Sequence, residues 1–283
     1  MKKIKIIADS TCDLSDSLIK KYDIAIVPLC IIMDDKNYFD GENLTPDEIF
    51  RWADANKTTP KTAAISFEKA EEVIKPYMDE GYDIIFFGIS SDMSTTCNVA
   101  RLTAQQNDYS RMFVIDSRNL STGIGLQVIR AAELASEGRT AEEIVAEIEG
   151  ATSKVRASFV VDTLTYLARG GRCTAATALM ANTLKLHPVI IVKDGKMGVS
   201  KKHMGKIDVA LAKYSQDLKE DLLNADNRRV FITHSGCNQE TIDKIYSFLE
   251  SLEYFDEILI TRAGGVISSH CGPSTLGILF YEK

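Results

Sequence analysis

Short apolar runs alternate with amphipathic segments along the whole of this 283-residue chain. The runs have the length of buried strands, and the segments between them repeat their apolar residues with the period of a helix. Strands separated by helices are typical of α/β folds with parallel sheets. We therefore predict an α/β fold of two lobes with mostly parallel sheets. Strands are predicted at 4–8, 25–33, 83–88, 112–115, 158–161, 189–192, 197–201, 229–233, 257–261 and 275–281.

Capping residues predict where helices start, and turn residues predict one β-hairpin. Thr45-Pro46 is typical of a helix start, and Asp13 or Ser15 is placed to cap an early helix. Asp194-Gly195 lies between two apolar runs, which is a strong signal for a β-hairpin. Helices are predicted at 14–22, from 45 onward, and at 66–80, 94–106, 120–137, 140–151, 165–169, 175–186, 207–223 and 239–252.

The length suits one large domain or two ordinary ones. Between 150 and 158 the chain passes from a long helical stretch to a second group of strands. We place the lobe boundary there, with an amino-terminal lobe at 1–155 and a carboxy-terminal lobe at 156–283. No low-complexity linker marks the boundary, so we expect the two lobes to pack closely.

Composition excludes several classes of protein. A net charge of −7 argues against a general nucleic-acid or anionic-membrane binder, because those proteins need basic faces. No apolar run approaches the roughly 20 residues of a membrane helix, so we expect no stable membrane insertion. The amino terminus becomes polar too early for a signal peptide, and the six cysteines form no CxxC pair. We expect a cytoplasmic protein with reduced thiols.

Three polar loops follow predicted strands, at 88–96, 116–125 and 264–274. The carboxyl ends of strands are where open α/β sheets bind ligands, and hydroxyls beside free N–H groups at a helix start favour an anion. Ser94 lies in the first loop and His270 in the last. The alternatives are that Ser94 only caps a helix and that His270 is a structural residue.

Motifs for autonomous catalysis are missing from the sequence. It has no GxxxxGK[ST] for ATP, no GxSxG nucleophile elbow and no HExxH metal motif, and its GxG lacks the third glycine of a dinucleotide site. We therefore expect no metal and no cofactor. Ser94 and His270 would suit a nucleophile and a base, but the sequence places no orienting carboxylate beside them.

Five segments, taken together and in this order, resemble the DegV family over essentially the whole chain. They are Asp9-Ser10-Thr11-Cys12-Asp13-Leu14, the hydroxyl-rich run at 90–96, Asp116-Ser117 with Gly123-Ile124-Gly125, the Arg169-Gly170-Gly171-Arg172 turn, and the carboxy-terminal stretch at 264–274.

The resemblance implies a fatty-acid-binding protein with the acyl chain buried in the amino-terminal lobe. It implies that Thr62, Ser94 and His270 hold the carboxylate, and that Arg172 and His203 face a partner. That partner is a separate ATP-dependent fatty acid kinase subunit, which converts the bound acid to an acyl-phosphate. On this interpretation the chain is a substrate carrier and not itself an enzyme.

The chain departs from the family pattern at several positions. Thr62-Ala63-Ala64-Ile65-Ser66 stands where the family has Thr-Ser-Gln-Pro-Ser, and His203 stands where Arg is common. These changes keep the three head-group candidates. The preferred chain length of the acid and the protonation state of His270 stay open.

Two other functions compete with the lipid carrier. One is an acyl hydrolase that uses Ser94 as nucleophile and His270 as base. The other is a binding module for a different small anion, such as a phosphosugar. The shortage of basic residues in the three loops makes the second alternative weaker.

Overall fold

The computed structural model describes residues 3–179 and 186–283. Its strands are β1 (Ile4–Asp9), β2 (Ala25–Val27), β3 (Cys30–Met33), β4 (Lys36–Phe39), β5 (Lys61–Ala63), β6 (Asp83–Gly88), β7 (Met112–Asp116), β8 (Val155–Val160), β9 (Leu186–Lys193), β10 (Lys196–Met204), β11 (Ala225–Ser235), β12 (Glu257–Arg262) and β13 (Thr275–Glu282). Its helices are α1 (Asp16–Lys21), α2 (Pro46–Asn56), α3 (Phe67–Asp79), α4 (Thr96–Gln106), α5 (Thr122–Ser136), α6 (Ala141–Ala151), α7 (Thr165–Gly170), α8 (Thr174–Leu179), α9 (Ile207–Asp217), α10 (Lys219–Leu223), α11 (Gln239–Glu250) and α12 (Gly265–Cys271).

The first sheet is parallel, with the order β2-β1-β6-β7. Its central strand β6 is buried on both faces. Ile85 and Phe87 face a core that includes residues of α5 and α6, while Ile84 and Phe86 face one formed with α3 and α4. Burial on both faces explains why this strand is a continuous apolar run rather than an alternating one. The α/β class and the parallel arrangement of this sheet are confirmed.

The second sheet departs from the expectation of mostly parallel strands. Its order is β10-β9-β8-β13-β11-β12, and only β11 and β12 pair in parallel. The Asp194-Gly195 turn forms the predicted hairpin, and a two-residue turn joins strands in antiparallel fashion. Strand β12 pairs with β11 in parallel and β13 pairs with β11 in antiparallel fashion, so β13 runs in the opposite direction to β12.

Local signals set several helix starts correctly. Ser15 caps α1 by accepting the N–H of Leu18, as one of the two predicted alternatives. Thr45 and Glu48 form a reciprocal capping box at α2, with Pro46 in its first turn. These contacts satisfy N–H groups that a helix start leaves without an internal partner.

Three predicted elements differ in the structure. The strand predicted at 25–33 is divided into β2 and β3, because Pro28 lies in its middle and has no N–H to donate. The helix predicted at 207–223 is two helices, α9 and α10, that meet at Leu218. The helix predicted at 175–186 is described only as α8; residues 180–185 lie outside the described part, and Leu186 begins β9.

Helix α12 packs between the two halves of the protein. It comes from the carboxy-terminal half, yet it packs against α2, β3 and β5 of the amino-terminal half and against α7. Strand β5 belongs to a small antiparallel sheet of order β4-β3-β5. One buried apolar cluster contains Phe87 of the first sheet and Phe159 of the second, so the two sheets share a continuous core. The boundary at 155 stays a prediction.

Candidate functional site

A small pocket lies where α12 meets the amino-terminal half. Its volume is about 50 Å³. Ten of its fourteen lining residues are apolar, and the four polar ones are Thr62, Ser94, Arg172 and His270. Four of the five site residues predicted from the sequence therefore line one pocket, although they are far apart along the chain.

His270 lies on a helix and not in the loop that the sequence indicated. Glycines at both ends of α12 gave the segment the appearance of a loop, but residues 265–271 form two turns of helix. The imidazole Nε2 lies 2.7 Å from Oγ1 of Thr62, which is the middle residue of β5. This hydrogen bond joins groups 208 residues apart in the sequence.

Ser94 also lines the pocket, in the turn between β6 and α4. Its Oγ is 2.9 Å from Oγ1 of Thr96, in the first turn of α4. Thr95 is the N-cap residue of that helix, and its side chain makes no capping hydrogen bond. Within the described residues, no hydrogen bond joins Ser94 to His270.

The imidazole of His270 is neutral near pH 7. Burial, together with the positive charge of Arg172, lowers the pKa of His270 from 6.5 to about 4. Its Nδ1 is buried and has no hydrogen-bond partner in the part of the chain that the structure describes. In the ligand-free pocket the ring therefore offers a hydrogen bond but no full positive charge.

Arg172 lies at the exposed mouth of the pocket. Its Nη1 donates to the carbonyl of Gly170 at 2.8 Å, and its Nε donates to the carbonyl of Met93 at 3.4 Å. The side chain therefore bridges α7 to the turn that carries Ser94. It supplies the positive charge that the pocket interior lacks.

His203 is not brought to the pocket. It lies on β10, where it pairs with His187 of β9, and its Nε2 is 3.7 Å from a carboxylate oxygen of Asp217. Its side chain is only 11% exposed. The structure therefore separates His203 from Thr62, Ser94, Arg172 and His270.

Gly170 is a site residue whose role the sequence did not reveal. A Cβ built on Gly170 would lie 2.1 Å from Nδ1 of His270, so the α7 backbone packs directly against the imidazole. The Arg169-Gly170-Gly171-Arg172 motif drew attention to its arginines. Gly170 is the last residue of α7 and Gly171 follows it in a left-handed conformation, which is the usual reason for glycine at a helix end, so the sequence carried no signal for this contact.

The hairpin of β9 and β10 closes another side of the pocket. Its turn docks on the loop after β6, where Oγ of Ser90 donates to the carbonyl of Gly195 at 2.7 Å. Two surface ion pairs flank this contact, Arg118 with Asp194 at 3.6 Å and Lys196 with Asp92 at 3.5 Å. The next residue of the hairpin, Met197, lines the pocket.

A larger cavity of about 390 Å³ lies elsewhere, between the second sheet and α9. Its lining includes Arg156, Ser158, Lys201 and Tyr214, and none of the predicted site residues. The Tyr214 hydroxyl is already bonded to Ser158 and to the N–H of Ile278. We therefore assign the chemistry to the smaller pocket, where polar groups from both halves converge.

Among residues 3–179 and 186–283, no three His, Cys, Asp or Glu side chains come together in a way that would hold a metal ion. In those ranges no helix has both the length and the apolar character needed to cross a bilayer.

Comparison with known proteins gives the family. A family model described as "Uncharacterised protein, DegV family" matches residues 3–283. The chain belongs to the DegV family. A DegV domain-containing protein from Clostridium perfringens is 32% identical over 283 residues, covering 100% of both chains. The family resemblance found in the sequence is confirmed.

Solved structures of DegV proteins have the same fold. A structure from Thermus thermophilus, described as showing fatty acid binding of a DegV family protein, has a TM-score of 0.89 and 30% identity, and each chain is covered completely. A stearic-acid-binding protein from Eubacterium ventriosum has a TM-score of 0.86 and 28% identity, over 99% of this chain and 98% of the other.

Replacing Gly170 with Ala tests the packing around His270. Because the added methyl has no room beside Nδ1, we expect the ring or α7 to shift and the unfolding free energy to fall by about 1–3 kcal/mol. The matched control is Gly150→Ala in α6, where a Cβ meets no atom within 4 Å. Denaturant unfolding measures both, and equal stability of the two variants would contradict this packing.

The low pKa of His270 predicts how its contribution to stability varies with pH. His270 binds a proton near pH 6.5 in the unfolded chain but only near pH 4 in the folded chain. The contribution of the neutral imidazole to the free energy of unfolding is therefore complete above pH 6.5 and is lost as the pH falls to 4. We expect the stability difference between the wild type and His270→Asn to shrink over this range by about 3 kcal/mol.

Urea unfolding at a series of pH values measures this difference. Burial raises the pKa of Asp9 to about 6, which makes stability rise as the pH falls, opposite to the effect of His270. This effect is present in both proteins, so it cancels when their stabilities are subtracted. A difference that stays constant from pH 7 to pH 4 would show that His270 is not a buried neutral imidazole.

Proposed function

We propose that this protein binds a long-chain fatty acid. The carboxylate is held by Thr62, Ser94 and His270, and the tail lies among the apolar residues of the same pocket. The observation that carries the proposal is the convergence of these three polar side chains with Arg172 in an otherwise apolar pocket. The fatty-acid-binding DegV structures from Thermus thermophilus and Eubacterium ventriosum support it.

The free energy for such binding comes mainly from the tail. Each buried methylene contributes about 0.8 kcal/mol, so fifteen of them contribute roughly 12 kcal/mol before the costs of association. Ligand pockets commonly measure about 300–1,000 Å³. Because the present pocket measures about 50 Å³, binding has to separate side chains such as Met93, Leu120 and Met197.

The carboxylate needs donors, because burying it without partners costs several kcal/mol. The Thr62 and Ser94 hydroxyls and the imidazole of His270 each have an N–H or O–H to donate. Arg172, at the mouth, offers charge compensation without occupying the pocket interior. The set suits an anion that is held and later released.

A hydrolase is less well supported than a carrier. Nε2 of His270 contacts Thr62 rather than Ser94, and within the described residues no carboxylate contacts Nδ1. A nucleophile, base and orienting acid are therefore not connected by hydrogen bonds. A phosphosugar site is disfavoured by the apolar lining of the pocket.

We further propose that the bound acid is presented to a separate ATP-dependent kinase subunit. The sequence has no P-loop, and the exposed Arg172 lines the same pocket as Thr62, Ser94 and His270. A guanidinium at this place suits contact with phosphate or carboxylate groups. The partner surface in this proposal rests on Arg172 rather than on His203, which is largely buried beside Asp217.

Denaturing the purified protein, extracting it with organic solvent and analysing the extract by mass spectrometry tests the carrier function. We expect a fatty acid in near-stoichiometric amount, and its identity gives the tail preference. An empty extract, with no thermal stabilisation by added fatty acids, would overturn the proposal.

Replacing His270 with Ala tests the head-group assignment. Loss of one hydrogen bond to a charged group should weaken fatty-acid binding about ten- to hundredfold. The control is His203→Ala, which removes an imidazole that lies away from the pocket. Titration of both variants with palmitate measures the effect, and equal affinities would remove His270 from the site.

Replacing Arg172 with Ala tests the partner surface. We expect palmitate affinity to fall by only about threefold, because a nearby charge but no head-group hydrogen-bond donor is lost, while turnover by a fatty acid kinase subunit falls about tenfold or more. Arg139→Ala removes a surface guanidinium paired with Glu143 and serves as the control. Full turnover with Arg172→Ala would refute the assignment.

A further inference from the structure

Two aspartates of the amino-terminal half meet the amino-terminal end of α12. Oδ1 of Asp13 accepts the N–H of Gly264 at 2.8 Å, and Oδ1 of Asp40 accepts the N–H of Gly265 at 2.6 Å. Helix starts leave such N–H groups without internal partners and favour negative charge. The helix that carries His270 is thus joined to the other half at its first residues.

Each carboxylate is also held through its second oxygen. Oδ2 of Asp13 accepts the hydroxyl of Ser121, and Oδ2 of Asp40 accepts the hydroxyl of Ser10 at 2.9 Å. Oγ of Ser10 in turn accepts the N–H of the pocket-lining Leu29 at 3.1 Å. Both carboxylates are therefore fixed in orientation and not only in position.

Both carboxyl groups are buried, and burial of a carboxylate costs free energy because the group loses its contact with water. Asp13 is 5% exposed and Asp40 is 3% exposed, and neither forms an ion pair with a described residue. Burial raises the pKa of both carboxyl groups, against hydrogen bonds that lower it. Surface aspartates would cap a helix at far smaller cost, so the placement of these two calls for a role beyond capping.

Glycines allow α12 to come this close. A Cβ on Gly265 would lie 2.7 Å from Cδ1 of Ile31 and 2.9 Å from Cδ1 of Ile49. A Cβ on Gly264 would lie 3.2 Å from oxygens of both aspartates. Either side chain would push the helix away from the carboxylates.

The contacts at the first residues of α12 also determine the position of His270 near its carboxyl end. His270 is five residues after Gly265, which is about 7.5 Å along a helix. The helix is only seven residues long, and at its other end Gly272 packs against the ring of Tyr166. A shift of the first turn is therefore transmitted to the imidazole.

We propose that Asp13 and Asp40 are positioning residues that hold α12 so that His270 meets Thr62 at the carboxylate site. The effect on ligand affinity rests on the proposed fatty-acid function. The effect on the position of the imidazole does not rest on that function, because His270 contacts Thr62 without a ligand.

The test compares Asp40→Ala, Asp40→Asn and Asp83→Ala. Asn keeps an oxygen for the N–H of Gly265, whereas Ala keeps none. Asp83 is a buried aspartate paired with Arg111 at the start of β6, away from α12, so its loss controls for a general loss of stability. The readouts are the imidazole nitrogen resonances of His270 in NMR and the affinity for palmitate.

We expect Asp40→Ala to shift the His270 resonances and to weaken palmitate binding about tenfold, which corresponds to about 1.4 kcal/mol. Asp40→Asn should restore most of both, and Asp83→Ala should change neither. Unshifted resonances in Asp40→Ala, or equal shifts in Asp83→Ala, would overturn the proposal.

Two further outcomes are distinguished by the design. If palmitate does not bind the wild type, the fatty-acid function fails, and the NMR comparison still decides the positioning role. If Asp40→Ala does not fold, Asp13→Ala replaces it, because it removes the acceptor of the Gly264 N–H, the other contact at the start of α12. A shift of the same resonances supports the proposal, and no shift refutes it.

Discussion

The pocket depends on one constraint: α12 is buried between the two halves, so most of its polar groups must find partners there. Asp13 and Asp40 accept its first N–H groups, and Oγ of Ser269 donates to the carbonyl of Gly265 within the helix. Thr62 meets the imidazole of His270 near its other end. These partners come from distant parts of the chain, so the site exists only in the fully folded protein.

Much of the fold was predictable because its signals are local. The capping box of Thr45 and Glu48 and the Asp194-Gly195 turn act over two to four residues, and each formed as its residue types indicated. The buried run of β6 was recognisable because both faces of that strand are covered. Most of the pocket's polar residues were identified by family resemblance, whereas residue types alone left capping and structural roles equally open.

The rest depends on contacts between residues far apart in sequence. His270 was expected in a loop because glycines flank it, and those glycines instead let a helix approach Asp13 and Asp40. Gly170 is needed only because an imidazole from another helix packs on it. The antiparallel pairing of β13 with β11 and with β8 also joins residues far apart in the sequence. Neither the spacing nor the composition of the sequence contains such information.

The contact between Thr62 and His270 has a thermodynamic consequence for selectivity. In the proposed function, an incoming carboxylate exchanges this hydrogen bond for others, so its head group adds less net affinity than the sum of its new contacts. Most of the net affinity must then come from the tail, at about fourfold per methylene. A fatty-acid site of this kind would discriminate by length in a graded way, because each methylene removed from the tail weakens binding by the same factor.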